Sequence, residues 1–153
     1  MVNFVEQDLL DSKYQYIGHI CNCITTDSAG MAKGIFDRFP WANTYQYRSD
    51  KSLRSNTGTI SVHGNGESER LIINMYSQYY PGGPKSYESR EKRLSWLKLC
   101  LLEIEKINNI REIAFPYKMG CSLAGGIWQD HLDLISDWSK NNIEVYICDR
   151  GNL

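Results

Sequence analysis

Metal-ligand spacing is the first thing this chain lacks. Its five cysteines (Cys21, Cys23, Cys100, Cys121 and Cys148) contain no C-x-x-C pair, and its three histidines are scattered, so no zinc site assembles from spacing. An odd number of thiols, most of them in apolar or strand-like surroundings, reads as a reduced, metal-free protein whose cysteines act as small buried hydrophobes. Also missing is any apolar run of the roughly 18–20 residues that a membrane-spanning helix needs. The opening MVNFVEQDLL has no basic stretch leading into a long apolar one, so it does not read as a secretory leader. The expected setting is the cytoplasm, with no membrane partner. Excess charge of either sign is absent as well: 17 Lys and Arg face 18 Asp and Glu, a formal net charge of −1. That balance argues against affinity gained by neutralising many phosphates of a nucleic acid. The one basic cluster, Lys85, Arg90, Lys92 and Arg93, is diluted by Glu88 and Glu91 and reads as a solvated helix face.

What is present describes an ordinary globular chain. Its 153 residues, 42% apolar and 23% charged, suffice for one core without staples. No repeat, low-complexity tract or linker divides it, so residues 1–153 are expected to form a single domain. Strand-like runs cover Val2–Val5, Tyr16–Ile20, Thr59–His63, Leu71–Tyr76, Ile113–Phe115 and Ile143–Cys148, by alternation or by dense apolar content. Helical spacing covers Ala32–Phe39, stopped by Pro40, then Tyr87–Ile107 and Ile127–Lys140. In the second of these Leu94, Leu97, Leu101, Ile104 and Ile107 share a face. Short strands alternating with crossover helices predict an α/β fold, with a mixed or parallel sheet covered on both faces. Ligands of such folds collect beyond the carboxyl ends of the strands.

Two loops lie at such ends. The first, within HICNCITTDSAGMAKG, joins an apolar strand to a helix opened by Gly30. Free N–H groups and the helix dipole make that junction an anion site, although a plain turn capped by Asp27 or Ser28 explains the same residues. The second, PYKMGCSLAGGIW, places Gly120, Gly125 and Gly126 between a strand and a helix. It matches neither the P-loop nor the dinucleotide-binding glycine pattern. Three glycines so close together suggest a backbone that wraps a ligand. Side by side, the two loops can clasp a pyrophosphate with N–H donors instead of lysines.

Together the stretches HICNCITTDSAGMAKGIFDRFPWA and FPYKMGCSLAGGIW resemble the macro domain, a three-layer α/β/α fold with a mixed, mostly parallel central sheet that binds ADP-ribose. The likeness is greatest to the branch of ADP-ribose 1''-phosphate phosphatases and terminal ADP-ribose glycohydrolases. NMYSQ at Asn74–Gln78, SYES at Ser86–Ser89 and VEQDL at Val5–Leu9 extend it over essentially the whole chain, with Gln7 where the family has glycine. The resemblance implies that Asp8 accepts a hydrogen bond from adenine, against the alternative of capping the turn at Leu9. It implies that Asn22, with Ser28, Ala29, Gly30 and Met31, embraces the distal ribose. Gly120, Cys121, Ser122, Leu123, Ala124 and Gly125 then hold the pyrophosphate. Tyr117, Trp128 and Tyr146 are the aromatic candidates for packing on the nucleotide.

His19, on the strand before the first loop, is the implied acid/base, against the alternative of a buried histidine satisfied by its neighbours. Asp27, the one carboxylate inside either loop, is its implied companion. His63 and His131 read as surface residues. The glycohydrolase branch carries a lysine in the strand region where this chain has Met75, and an aspartate in the glycine-rich loop where it has Ala124. Ile127 likewise stands where many relatives are acidic. The activity implied is hydrolysis of the terminal phosphate of ADP-ribose 1''-phosphate by a monomer without cofactor or metal. The alternatives are removal of ADP-ribosyl groups from protein or nucleic acid, and non-catalytic ADP-ribose binding. Nucleic acid enters only as a modified substrate.

Overall fold

The computed structural model describes residues 1–150; the last three residues of the expected domain, 151–153, lie outside the described residues. Six strands, β1 (Val2–Glu6), β2 (Tyr16–Cys21), β3 (Thr59–His63), β4 (Leu71–Tyr76), β5 (Glu112–Pro116) and β6 (Glu144–Asp149), form one sheet in the order β1-β6-β5-β2-β4-β3. Every neighbouring pair is parallel except β3 with β4. Three helices cover it: α1 (Gly30–Arg38), α2 (Arg90–Glu105) and α3 (Trp128–Ser139).

The layers follow from the apolar residues. On one face Leu97, Leu101 and Ile104 of α2 and Ile135 and Trp138 of α3 pack on Ile73, Phe115 and Ile147. On the other, Ile35 and Phe36 of α1 close with Ala42 and Tyr45 over Ile17, Ile72 and Ala114. The central strands are buried on both faces, which is why they read as continuous apolar runs and not as alternation. The result is a three-layer α/β/α fold.

Element ends differ from the periodicity by a few residues, for local reasons. The second helix begins at Arg90 and not Tyr87, because Lys85 and Glu88 close a small bridge and the Ser89 hydroxyl caps it by accepting from Lys92 N at 3.1 Å. The first begins at Gly30, ahead of the apolar spacing, where Ala29 in extended backbone forms the N-cap and the first turn borders a cleft.

Candidate functional site

The chain leaves β2 for α1 on one face and β5 for α3 on the other. Because β2 and β5 are neighbours, their carboxyl ends part, which is the topological switch point where α/β folds hold ligands. A cleft of about 810 Å³ opens there. It crosses the ends of β1, β6, β5, β2 and β4, from Asp8 and Arg150 at one extreme to Gln78 and Pro81 at the other. Four strand spacings make it roughly 19 Å long, the reach of a dinucleotide-sized ligand.

The two loops meet in its middle. Gly30 has φ +57°, and a Cβ there would stand 3.1 Å from Leu123 Cδ1. The N-cap of α1 is Ala29, with no side-chain cap. Neither Asp27 nor Ser28 fills that role, and Ser28 is absent from the cleft wall that Ala29, Gly30 and Met31 help to form. The first-turn N–H groups of α1 therefore remain available to an anion.

Across from them the second loop is tied by its own backbone. Cys121 N donates to Lys118 O at 3.0 Å, Gly125 N to Ser122 O at 3.0 Å and Gly126 N to Gly120 O at 2.9 Å. The turn needs the left-handed φ of +74° at Gly120. Among the described residues no acceptor is paired with the N–H of Ser122, Leu123 or Ala124, and all three residues line the cleft with Gly120. Cys121 and Gly125, expected beside them, do not. The Cys121 thiol turns back to Met119 O at 3.4 Å, and Gly125 lies against Pro84.

The expected acid/base is the main correction. His19 is fully buried and does not line the cleft. Its Nε2 lies 2.7 Å from Asn74 Oδ1, and its ring meets Phe36 edge-on at 5.3 Å. Burial lowers its pKa to about 4, so the ring is neutral, against a smaller opposing effect of the Asn74 hydrogen bond. The reason lies in the strand period: His19 shares a face with Ile17 and Cys21, under α1, while Ile20 on the opposite face reaches the cleft. Met75 is likewise sealed in the core, and beyond β4 the cleft is lined by Gln78, Pro81 and Gly82. His131 is no surface residue either. Buried beneath the glycine loop, it has Nδ1 3.0 Å from Met119 O, so Nδ1–H donates, and desolvation lowers its pKa.

Asp27 lines the cleft. Asp8 lines the cleft and caps the turn at Leu9: Oδ1 accepts from Leu10 N at 3.0 Å, while Oδ2 lies 3.5 Å from Arg150 Nε at the cleft's edge. Of the three aromatic candidates Tyr117 lines the cleft, Trp128 braces it edge-on at 5.4 Å, and Tyr146 stacks on Tyr14 at 4.1 Å. Burial pushes the Cys148 and Cys121 thiols up to about 11, so neither is a thiolate nucleophile at neutral pH.

Asn22 lines the cleft as the hub of its loop. Its Oδ1 accepts from Ile24 N, Thr25 N, Thr25 Oγ1 and Arg48 Nη1, at 3.0–3.2 Å. Arg48, which sequence spacing does not single out, is the buried brace behind it. Its Nη2 donates to Asn22 O at 2.7 Å, and its guanidinium sits 4.0 Å over the Tyr45 ring. Tyr45 Oη in turn accepts from Asn22 N at 2.8 Å. Arg48→Met should lower stability by about 2 kcal/mol in urea unfolding, since it strands the Asn22 and Thr25 carbonyls without donors.

No family model matches the sequence, and no curated protein matches it. Similarity lies in solved structures. The macrodomain of Mycobacterium tuberculosis DarG superposes with a TM-score of 0.77 over 97% of each chain, at 21% identity. The macrodomain of Thermus aquaticus DarG gives 0.70 over 97% of this chain and 98% of that one, at 23% identity. The chain has the macrodomain fold. Thermosipho africanus DarTG in complex with ADP-ribose matches with a TM-score of 0.68 and 19% identity, over 96% of this macrodomain-fold chain and 41% of that chain. The Trypanosoma brucei macrodomain in complex with ADP-ribose matches at 0.66 and 13%, over 96% and 63%.

Proposed function

We propose that the cleft binds ADP-ribose. The observation that carries this reading is two sets of main-chain N–H groups without acceptors on the wall of its centre, from Ser122–Ala124 and from the uncapped start of α1. Donors there suit a diphosphate, and the wall continues two strand spacings on the β1 side for a nucleoside and one on the β4 side for a sugar. Asp8 and the apolar Leu9 and Leu10 form the base end, and Asn22, Asp27 and Gln78 the distal-ribose end. Two solved neighbours of this fold hold that ligand. Calorimetry with ADP-ribose should show saturable one-site binding; no heat and no thermal shift at millimolar ligand would remove the reading.

At the distal end one carboxylate supports hydrolysis of ADP-ribose 1''-phosphate. Asp27 takes a proton from a water whose oxygen bonds to phosphorus, the P–O bond to the sugar breaks, and the leaving sugar oxygen is protonated from solvent. Asp27→Asn should then reduce release of inorganic phosphate about a hundredfold, with ADP-ribose affinity little changed. The withdrawal of His19 from the cleft favours a second reading, a module that binds ADP-ribose without turnover. Tight binding with no phosphate released by the unaltered protein selects the module. A lysine-dependent removal of ADP-ribosyl groups finds little support here: Met75 is buried, and the cleft's Lys118 sits at the end of β5 with its ammonium against the Tyr117 ring.

A further inference from the structure

Arg90, Glu91 and Lys92 at the start of α2 are exposed, as a solvated face requires, but Arg93 and Glu88 depart from it. Arg93 is 8% exposed and Glu88 2%, and their charged groups pair at 2.7 Å. A buried ion pair is weak evidence for stability, because desolvation cancels much of the attraction, so its use has to be sought in what else it holds. Arg93 Nη1 donates to Gly82 O at 2.9 Å and to Ala124 O at 3.1 Å; Nη2 donates to Tyr80 O at 3.2 Å and Gly83 O at 3.4 Å. Glu88 accepts from Tyr79 N at 3.2 Å and Tyr80 N at 3.3 Å. One guanidinium thus ties the segment 79–83, which supplies Pro81 and Gly82 to the cleft wall, to the glycine loop. Beside it Arg90 Nε donates to Gly125 O at 2.9 Å.

Resting on the ADP-ribose reading, we propose that Arg93, held by Glu88 and assisted by Arg90, is the positioning residue of the anion grip. The two arginines draw the Ala124 and Gly125 carbonyls to the α2 side of the loop, away from the anion. Those carbonyls are the groups that would repel a phosphate if the loop rotated. With them held, the N–H groups of Ser122–Ala124 stay presented to the cleft without any arginine touching the ligand. The planar fork matters as much as the charge, since it reaches carbonyls of two separate segments at once.

The test is ADP-ribose affinity of the full chain, measured by calorimetry well below each variant's melting temperature, where a purely structural loss of stability leaves the folded protein's dissociation constant unmoved. Arg93→Met should weaken binding about tenfold, and Arg93→Lys should fail to restore it. Arg90→Ala, at an exposed position that folding tolerates, should weaken it about threefold. Wild-type affinity in Arg93→Met overturns the proposal, and so does full rescue by Arg93→Lys, which would leave charge alone as the cause. Where Arg93→Met does not fold, unchanged affinity in Arg90→Ala overturns it instead. Failure of the unaltered protein to bind ADP-ribose removes the functional reading itself, and this proposal with it.

Discussion

Replacing Gly126 with alanine should weaken ADP-ribose binding about a thousandfold. A Cβ at this position would stand 2.5 Å from the carbonyl oxygen of Gly120 and 3.0 Å from His131 Nε2. The first of these is backbone, so no side-chain rotation relieves the collision. It falls on the hydrogen bond that closes the loop, Gly126 N to Gly120 O at 2.9 Å. The loop must open, and the N–H groups of Ser122, Leu123 and Ala124 lose their common aim. A charge-assisted hydrogen bond contributes about 1.5–3 kcal/mol, so losing two of them is about 4 kcal/mol, or three orders of magnitude in affinity. Gly83→Ala is the matched control: nothing lies within 4 Å of its added Cβ, and its affinity should stay within twofold of wild type. Calorimetry on both variants, with circular dichroism to show that each is folded, decides the matter. A Gly126→Ala protein that binds as the parent does would mean that side chains, and not this loop's amides, hold the ligand.

All six strands and three helices are legible in the sequence, because local rules govern them. Dense runs such as Leu71–Tyr76 sit in a sheet buried on both faces, and the spacing of Leu97, Leu101 and Ile104 marks the inward face of α2. The two cleft loops are legible for a related reason, since glycines at 120, 125 and 126 and a polar stretch at a strand end are costly anywhere without a use. What failed is what depends on direction. In a strand apolar on both faces, nothing says that His19 points under α1 while Ile20 points into the cleft; alternation carries that signal only where one face is wet. Arg48 and Arg93 were hidden by another route. Arginines in polar surroundings look solvated until the fold brings Asn22, Tyr80 and Ala124 to them from distant parts of the chain. A signal for Arg93 did exist: Glu88 lies five residues before it, beside the SYES stretch, at a spacing that a helix entry can fold back on itself.

Acid should unfold this protein through His19. The free side chain titrates near 6.5, and burial depresses the folded value to about 4. The unfolded chain therefore takes up the proton first. Stability is complete above pH 6.5, falls as pH drops below it, and by pH 4 has declined by about 3 kcal/mol from this group alone. His63 and His131 are also depressed by burial and act in the same direction. Urea unfolding at pH 7.5 and pH 4.5 measures the sum, and His19→Gln isolates the largest part. Glutamine can still present an N–H to Asn74 Oδ1 but does not titrate, so the variant should lose most of this dependence. Its ADP-ribose affinity at pH 7.5 should remain within twofold of the parent, because the side chain it alters faces Phe36 and not the cleft. A steep acid dependence that survives the substitution would move its origin to other groups. A loss of phosphate release without loss of binding would return His19 to the chemistry, which needs a proton path through α1 that the packing of Phe36 and Tyr45 closes.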